Sequence, residues 1–133
     1  MNAQLDAAID EFNRGDYFKA AELFEGAAAE ADDSGKSLIL ALNRIAAGLH
    51  LRLERGGRQA AINLFSQAML TLDEMRLARD GIDIDIEQLY NQLFAYTEEL
   101  RATPKDERDG MRHSARIFLE RRRAPKIKRL KRA

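Results

Sequence analysis

The chain has 133 residues, enough for one domain with its own core, and it contains no cysteine. A disulfide framework, a thiolate nucleophile and a cysteine metal cluster are therefore excluded, and without a leader or membrane-length apolar run a cytoplasmic location is expected. The zero net charge divides into 12 basic and 21 acidic side chains (−9) in residues 1–110, and 10 basic and 1 acidic (+9) in residues 111–133. An acidic body with a basic end predicts an electrostatic partner for that end.

Helical spacing of apolar residues begins close to the first residue. The first predicted helix carries them at i, i+3, i+4 and i+7, namely Leu5, Ala8, Ile9 and Phe12. It ends at Gly15-Asp16, and a second helix covers 17–31. The turn-forming stretch 32–35 separates it from a long apolar helix that begins at Ser37 and ends at Gly56-Gly57.

A fourth helix is predicted over 61–75, ending before Asp80-Gly81. Isoleucines then alternate at three positions within 82–86, as in a strand, but the alternation is too short for one. We predict an extended lead-in to a fifth helix, in which Asp85 is the N-cap and Gln88 its capping-box partner.

A sixth helix is predicted to start with Thr103 as N-cap and Pro104 as first helical residue, and to end at Pro125. The predicted units are a helical bundle domain (1–101), an additional C-terminal helix (102–124) and a flexible basic tail (125–133).

Two of the predicted helices contain the same short sequence pattern, which we call the internal echo. Each has the pattern Ala, three residues, Phe, two residues, Ala, at Ala20, Phe24 and Ala27 and again at Ala61, Phe65 and Ala68. Small residues let paired helices approach closely, as in tetratricopeptide-like hairpins, but the offset of 61 − 20 = 41 and the presence of only two copies argue against a regular solenoid. The sequence predicts an all-α fold, a compact bundle of about five to six helices built from two stacked antiparallel hairpins.

Three stretches in order, FNRGDYFKAAELFE (12–25), SLILALNRIAAGLHLRLERGGRQAAINLFSQAMLTL (37–72) and GIDIDIEQL (81–89), resemble the small helical family called domain of unknown function 309. The matching positions of the family signature are Phe12, Asn13, Gly15, Tyr17, Phe18, Ala20, Glu22 and Glu25, with His50 at a second histidine position. The resemblance implies an all-helical fold over roughly residues 5–100. The signature histidine and tryptophan are Ala21 and Ala28 here, so metal or base chemistry at that histidine is in doubt.

The signature segment therefore predicts a bend and packing contacts. The residues concerned are Phe12, Asn13, Gly15, Tyr17, Ala20 and Phe24. In this interpretation Asn13 and Gly15 terminate the first helix, because both residue types tolerate the left-handed conformation of a tight helix break.

One candidate polar cluster remains. Glu22 and Glu25 share a helical face at i, i+3, and with His50 they could hold a divalent ion or act as a carboxylate-imidazole pair. The alternative interpretations are two solvated glutamates with a histidine favoured near a helix C-terminus, or a structural hydrogen bond. No phosphate-binding glycine loop, H-E-x-x-H or G-x-S-x-G is present, so catalysis is disfavoured, and neither a metal nor a cofactor is predicted.

The basic end is the most distinctive functional feature. Its candidate anion-binding residues are Arg116, Arg121, Arg122, Arg123, Lys126, Lys128, Arg129, Lys131 and Arg132. Such a density suits phosphates or an anionic membrane surface, with affinity that falls steeply with salt. The alternatives are docking onto a protein or the chain's own acidic body, and simple solubility.

The leading functional prediction is a non-catalytic helical protein-interaction module with a basic tail for docking, whose partner is another protein or a second copy. The first alternative is a nucleic-acid-associated protein that binds RNA or DNA through the tail. The second is a metal-dependent enzyme that uses Glu22, Glu25 and His50.

Overall fold

The computed structural model describes residues 3–78, 83–103 and 111–130. These ranges form α1 (Ala3–Arg14), α2 (Tyr17–Glu30), α3 (Asp33–Arg55), α4 (Gln59–Ala78), α5 (Ile86–Arg101) and α6 (Met111–Arg123). Within them the only extended pairing is a single antiparallel bridge between Ile84 and Arg129. The prediction of an all-α bundle is confirmed. No helix in these ranges has both the length and the apolar character needed to cross a membrane.

The bend between α1 and α2 is where the sequence predicts it. Gly15 has a φ of 91°, a conformation that side chains with a Cβ rarely adopt. Its N–H donates to the carbonyl of Phe12 at 3.0 Å, and the side chain of Asp16 accepts from the N–H of Lys19 at 3.2 Å. A glycine turn followed by an aspartate N-cap thus reverses the chain in two residues.

Helix α3 begins earlier than predicted. Its first residue is Asp33 rather than Ser37, because Asp32 is an N-cap whose carboxylate accepts from the N–H of Gly35 at 2.9 Å. The turn-forming stretch is therefore the cap and first turn of the helix.

The predicted glycine stop of α3 is confirmed. Gly56 has a φ of 72°, and its N–H donates to the carbonyl of Arg52 at 3.1 Å, as in the αL C-cap motif.

Consecutive helices pack on one another from α1 to α5, so the bundle is a series of antiparallel hairpins. All six residues of the internal echo are fully buried: Ala20, Phe24, Ala27, Ala61, Phe65 and Ala68. Helices α3 and α4 approach closely at Gly48, where a Cβ would come within 2.5 Å of the Phe65 ring. Glycine at that position is required by packing, since the local space is filled by the aromatic ring.

The start of α5 confirms half of the predicted capping box. The carboxylate of Asp85 accepts from the N–H of Gln88 at 3.0 Å. The predicted bond from the N–H of Asp85 to the Gln88 side chain is not formed, because this N–H donates to the carbonyl of Lys128 at 2.8 Å. Among the described residues the buried Gln88 Oε1 is left without a hydrogen-bond partner. A segment distant in sequence has taken the place of the local cap.

Helix α6 packs against α3. The predicted N-cap, Thr103, belongs to the end of α5, where its hydroxyl donates to the carbonyl of Glu99 at 3.1 Å. Pro104 lies outside the described residues. At its other end, α6 stops at Arg123 and the chain continues without helical structure through Pro125, as predicted.

Candidate functional site

The three residues of the predicted polar cluster have different surroundings. Glu22 and Glu25 are exposed on α2, whereas His50 is half-buried near the end of α3. The imidazole lies against the ring of Phe18, with 5.3 Å between centroids, and its Nδ1 is buried without a hydrogen-bond partner among the described residues. No group of three or more histidine or acidic side chains within the described ranges is arranged to hold a metal ion.

An open surface pocket of about 440 Å³ adjoins this histidine. Its lining residues are Arg14, Gly15, Asp16, Tyr17, Phe18, His50 and Glu54. Neither Glu22 nor Glu25 belongs to the lining, so the pocket does not unite the predicted cluster. Charges of both signs line it, and they do not favour one class of ligand.

The signature segment packs as a small aromatic core. The Phe12 ring meets Tyr17 edge-on at 5.4 Å and Phe24 at 6.4 Å between centroids. Ala21 is half-buried, and its carbonyl accepts from Asn43 Nδ2 of α3 at 2.8 Å. In this segment the bend lies at Gly15 and the rings of Phe12, Tyr17 and Phe24 pack together, whereas Asn13 lies within α1.

Asn13 has an additional contact that its position at a helix end did not predict. Its Nδ2 donates to the carbonyl of Ile127 at 2.9 Å, and its Oδ1 accepts from the N–H of Ile127 at 2.8 Å. One side-chain amide thus satisfies both main-chain groups of a residue 114 positions away. This anchor holds the segment that we call the C-terminal strap, Ala124–Leu130.

The strap lies against a surface that we call the strap seat, formed by Asp6 and Asn13 of α1 and by Asp83, Asp85 and Gln92 in and before α5. Ala124, Pro125 and Ile127 of the strap are buried. On the α5 side, Gln92 Oε1 accepts from the N–H of Lys126 at 3.1 Å, and the N–H of Leu130 donates to the carbonyl of Asp83 at 2.5 Å. The strap therefore runs antiparallel to α1 and α5. Its main chain is hydrogen-bonded to the side chains of Asn13 in α1 and Gln92 in α5.

Charge complementarity reinforces the strap in its seat. Arg129 pairs with Asp83 at 2.6 Å and also with Asp6, so one guanidinium bridges the α1 side and the segment before α5. Lys126 Nζ donates to the carbonyl of Asn13 at 2.9 Å. The sequence predicts a bundle domain that ends at residue 101 and a flexible basic tail that begins at residue 125. These domain boundaries stay a prediction. The described part of the tail, residues 125–130, packs on the bundle.

Other predicted anion-binding residues also face the bundle's own acids. Arg121 pairs with Glu54 at 2.8 Å, and Arg123 pairs with Glu99 at 3.2 Å. Arg122 lies 5.9 Å from the centroid of the Phe118 ring. For the remaining positions, Arg116 is half-buried and Lys128 is exposed, whereas Lys131 and Arg132 lie outside the described residues.

A buried polar network joins α6 to the body. The guanidinium of Arg52 donates to both carboxylate oxygens of Glu120 at 2.8 and 2.7 Å, and the Tyr96 hydroxyl donates to the same carboxylate at 3.2 Å. Arg52 and Glu120 are 3% and 9% exposed. Burial, and secondarily the Glu120 charge, raises the pKa of Tyr96 well above its usual value. Burial also raises the pKa of Tyr17, against the opposing charge of Arg121.

The sequence contains two signals for this network, and both lie in its charged residues, which the spacing of apolar residues does not include. Glu120 is the only acidic residue of 111–133, and Arg52 follows Leu49 by three positions, within the apolar stripe of α3. A charged residue in an apolar stripe needs a buried partner of opposite charge. Asn13 has no comparable signal, because its partner is a main chain far along the sequence.

A second pocket, of about 180 Å³, lies where the strap reaches Leu130. Met75, Ile84 and Ile86 give it apolar walls, and Arg76 and Glu87 are also part of its lining. A cavity of about 150 Å³ accommodates a benzene ring, so this pocket has room for one large apolar side chain.

Comparisons with protein-family models, with curated proteins and with solved structures return no match for this chain. The resemblance to the domain of unknown function 309 family accordingly stays a prediction from the quoted stretches.

Proposed function

We propose that this chain is a non-catalytic protein-interaction module whose binding surface is the strap seat. The observation that supports the proposal most directly is the pair of bonds from Asn13 to the main chain of Ile127. A surface that satisfies main-chain donors and acceptors of an extended segment has the property that peptide recognition requires. The bundle contains such a surface, and the chain's own strap lies on it.

The charges of the basic end support protein docking over phosphate binding. Arg121, Arg123 and Arg129 are paired with carboxylates of the body, and phosphate binding by these residues would first have to break the existing pairs. Five of the named tail residues are exposed within the described ranges, and carboxylates hold two of them, Arg121 and Arg123; the other three are Arg122, Lys126 and Lys128. The module therefore uses its basic end chiefly against acidic protein surfaces, its own included.

The arrangement of Glu22, Glu25 and His50 gives the metal-dependent enzyme little support. Both glutamates face solvent, while the histidine packs on Phe18. A catalytic or metal-binding trio needs donor atoms that converge on one point, and these surroundings do not provide one.

The proposal is tested by affinity purification with the full chain as bait and nuclease in every step. A protein partner is expected to co-purify with the wild-type chain and to bind it again as a purified pair in isothermal titration calorimetry. The bait Asn13→Ala should change the affinity for that partner, because the strap seat is altered. The matched control bait, Asn91→Ala, replaces an exposed asparagine of α5 and should bind as the wild type does.

Two results would contradict the proposal. One is a bait that retains only nucleic acid before nuclease treatment and no protein afterwards. The other is a purified protein partner whose affinity is the same for the wild type, Asn13→Ala and Asn91→Ala chains, because its binding surface would then lie elsewhere.

A further inference from the structure

From Lys126 onward the strap alternates between the seat and solvent. Ile127 is buried and Arg129 half-buried, whereas Lys126, Lys128 and Leu130 are exposed. This is the period of two expected of an extended chain, in which residues i and i+2 share one face. The side chains of Ile127 and Arg129 thus enter the seat, while Lys126 adds a bond from its Nζ to the Asn13 carbonyl and Lys128 contributes its main chain.

Each of these two positions has a defined chemistry. Ile127 is 3% exposed and lies at the Asn13 anchor, so this position selects an apolar side chain. Arg129 reaches Asp6 and Asp83 together, so this position selects a long cation with several donors. The following residue, Leu130, lines the 180 Å³ pocket with Met75 and Ile84, which favours a second apolar side chain there.

We infer that the strap seat is a peptide-recognition site for an extended segment of a partner protein with the pattern apolar-x-Arg-apolar. In this inference the strap, with its sequence Ile127-Lys128-Arg129-Leu130, is the competing occupant built into the chain. The inference rests on the proposed function and adds the chemistry of the partner and its regulation.

Because the strap is tethered beside the seat and competes for it, binding of a partner segment depends on release of the strap. The strap belongs to the same molecule, so its effective concentration at the seat is on the order of millimolar, and a free peptide must compete against it. A partner segment binds when it seats better than the strap or when the strap is weakened. Partner binding and strap release are then coupled by mass action.

The test uses the full chain with a weakened strap. Ile127→Asp places a carboxylate in a buried apolar position at the Asn13 anchor, which disfavours the seated strap but leaves every seat residue unchanged. The probe is a fluorescein-labelled synthetic peptide with the sequence of residues 124–133, measured by fluorescence anisotropy at 150 mM salt. Circular dichroism verifies that the variant retains its helices. If Ile127→Asp does not fold, Arg129→Glu opens the seat from a half-exposed position.

The Ile127→Asp chain should bind the probe at least about ten-fold more tightly than the wild-type chain, because its tethered competitor is removed. A control peptide with Ile127→Asn has the same net charge and should bind at least about ten-fold more weakly than the probe, since an amide cannot replace the buried apolar side chain. Adding Asn13→Ala to the Ile127→Asp chain should weaken binding of the probe as well.

Equal binding of the two peptides would show that charge attraction alone accounts for the interaction, and it would overturn the inference. So would an absence of probe binding to the folded, strap-weakened chains. A wild-type dimer in sedimentation velocity that dissociates in Ile127→Asp would also overturn it, since the occupant would be the strap of a second copy. These failures are distinct from failure of the proposed function, which is decided by purified protein partners and not by the probe.

Discussion

Arg52 of α3 and Glu120 of α6 are 68 residues apart in the chain and form a two-point ion pair inside the protein. Tyr96 of α5 completes the arrangement by donating to the same carboxylate. Three helices, α3, α5 and α6, are thereby tied at one buried point. The packing of α6 depends on this point because many of its other residues are charged and exposed.

Replacing Glu120 by alanine should lower the free energy of unfolding by about 3–5 kcal/mol, because the buried Arg52 is left without its carboxylate. Urea denaturation followed by circular dichroism measures the loss. The matched control is Glu54→Ala, which breaks the exposed pair with Arg121 and should cost about 0–1 kcal/mol. Equal losses in both variants would show that burial of the Glu120 pair has no energetic consequence.

Asn13→Ala should release the strap without unfolding the bundle. The substitution removes both side-chain bonds to Ile127, at a cost of about 1–3 kcal/mol for the unsatisfied main-chain groups. We expect the Ile127 amide to exchange its hydrogen at least about ten-fold faster, as measured by nuclear magnetic resonance, because local opening becomes easier. Core amides of α3 should keep their protection, and Asn91→Ala should leave the Ile127 amide unaffected. Unchanged exchange at Ile127 in Asn13→Ala would show that the anchor is dispensable.

Gly48→Ala should destabilise the protein by about 1–3 kcal/mol, although alanine is the better helix former, because its Cβ would overlap the Phe65 ring. Differential scanning calorimetry should show a lower Tm. Gly26→Ala is the matched control: the atoms nearest to its Cβ belong to the flexible end of the Gln4 side chain. That variant should gain up to about 1 kcal/mol from helix propensity. A higher Tm for both variants would mean that α3 and α4 do not meet closely at Gly48.

Alkaline pH should destabilise the protein through Tyr96. Its pKa is raised in the folded state, so the stabilisation is complete below the ordinary value of 10.0 and is lost as pH rises above it. The free energy of unfolding should fall between pH 10 and 11 in the wild type and fall less in Tyr96→Phe. Urea denaturation at each pH measures this difference, and absorbance at 295 nm reports the phenolate. Identical pH profiles for the two proteins would refute a buried, neutral Tyr96.

Much of the fold could be predicted from local sequence. The stops at Gly15 and Gly56 and the N-cap at Asp85 follow from the conformations and hydrogen bonds that these residue types favour, and each is observed. The predicted start of α3 is four residues too late, because the sequence pattern assigns Asp32 to a turn although aspartate serves equally well as an N-cap.

The candidate site was less accessible to sequence reasoning. The sequence predicts Asn13 as a helix terminator, and it cannot predict the contact with Ile127 because no periodicity links positions so far apart. The predicted bond between the Gln88 side chain and the N–H of Asp85 is missing for the same reason, since this N–H donates to the carbonyl of Lys128. Local patterns define helices and caps well, whereas long-range main-chain contacts depend on the assembled fold.

The contact between Asn13 and Ile127 also has a consequence for biosynthesis. A ribosome completes α1 long before it adds the strap, because 114 positions separate the two residues. During synthesis the acidic seat is therefore exposed on the nascent chain, and the seated arrangement is among the last to form. A chaperone or partner with a suitable basic segment would have its best access to the seat in this interval, before the molecule's own strap has emerged.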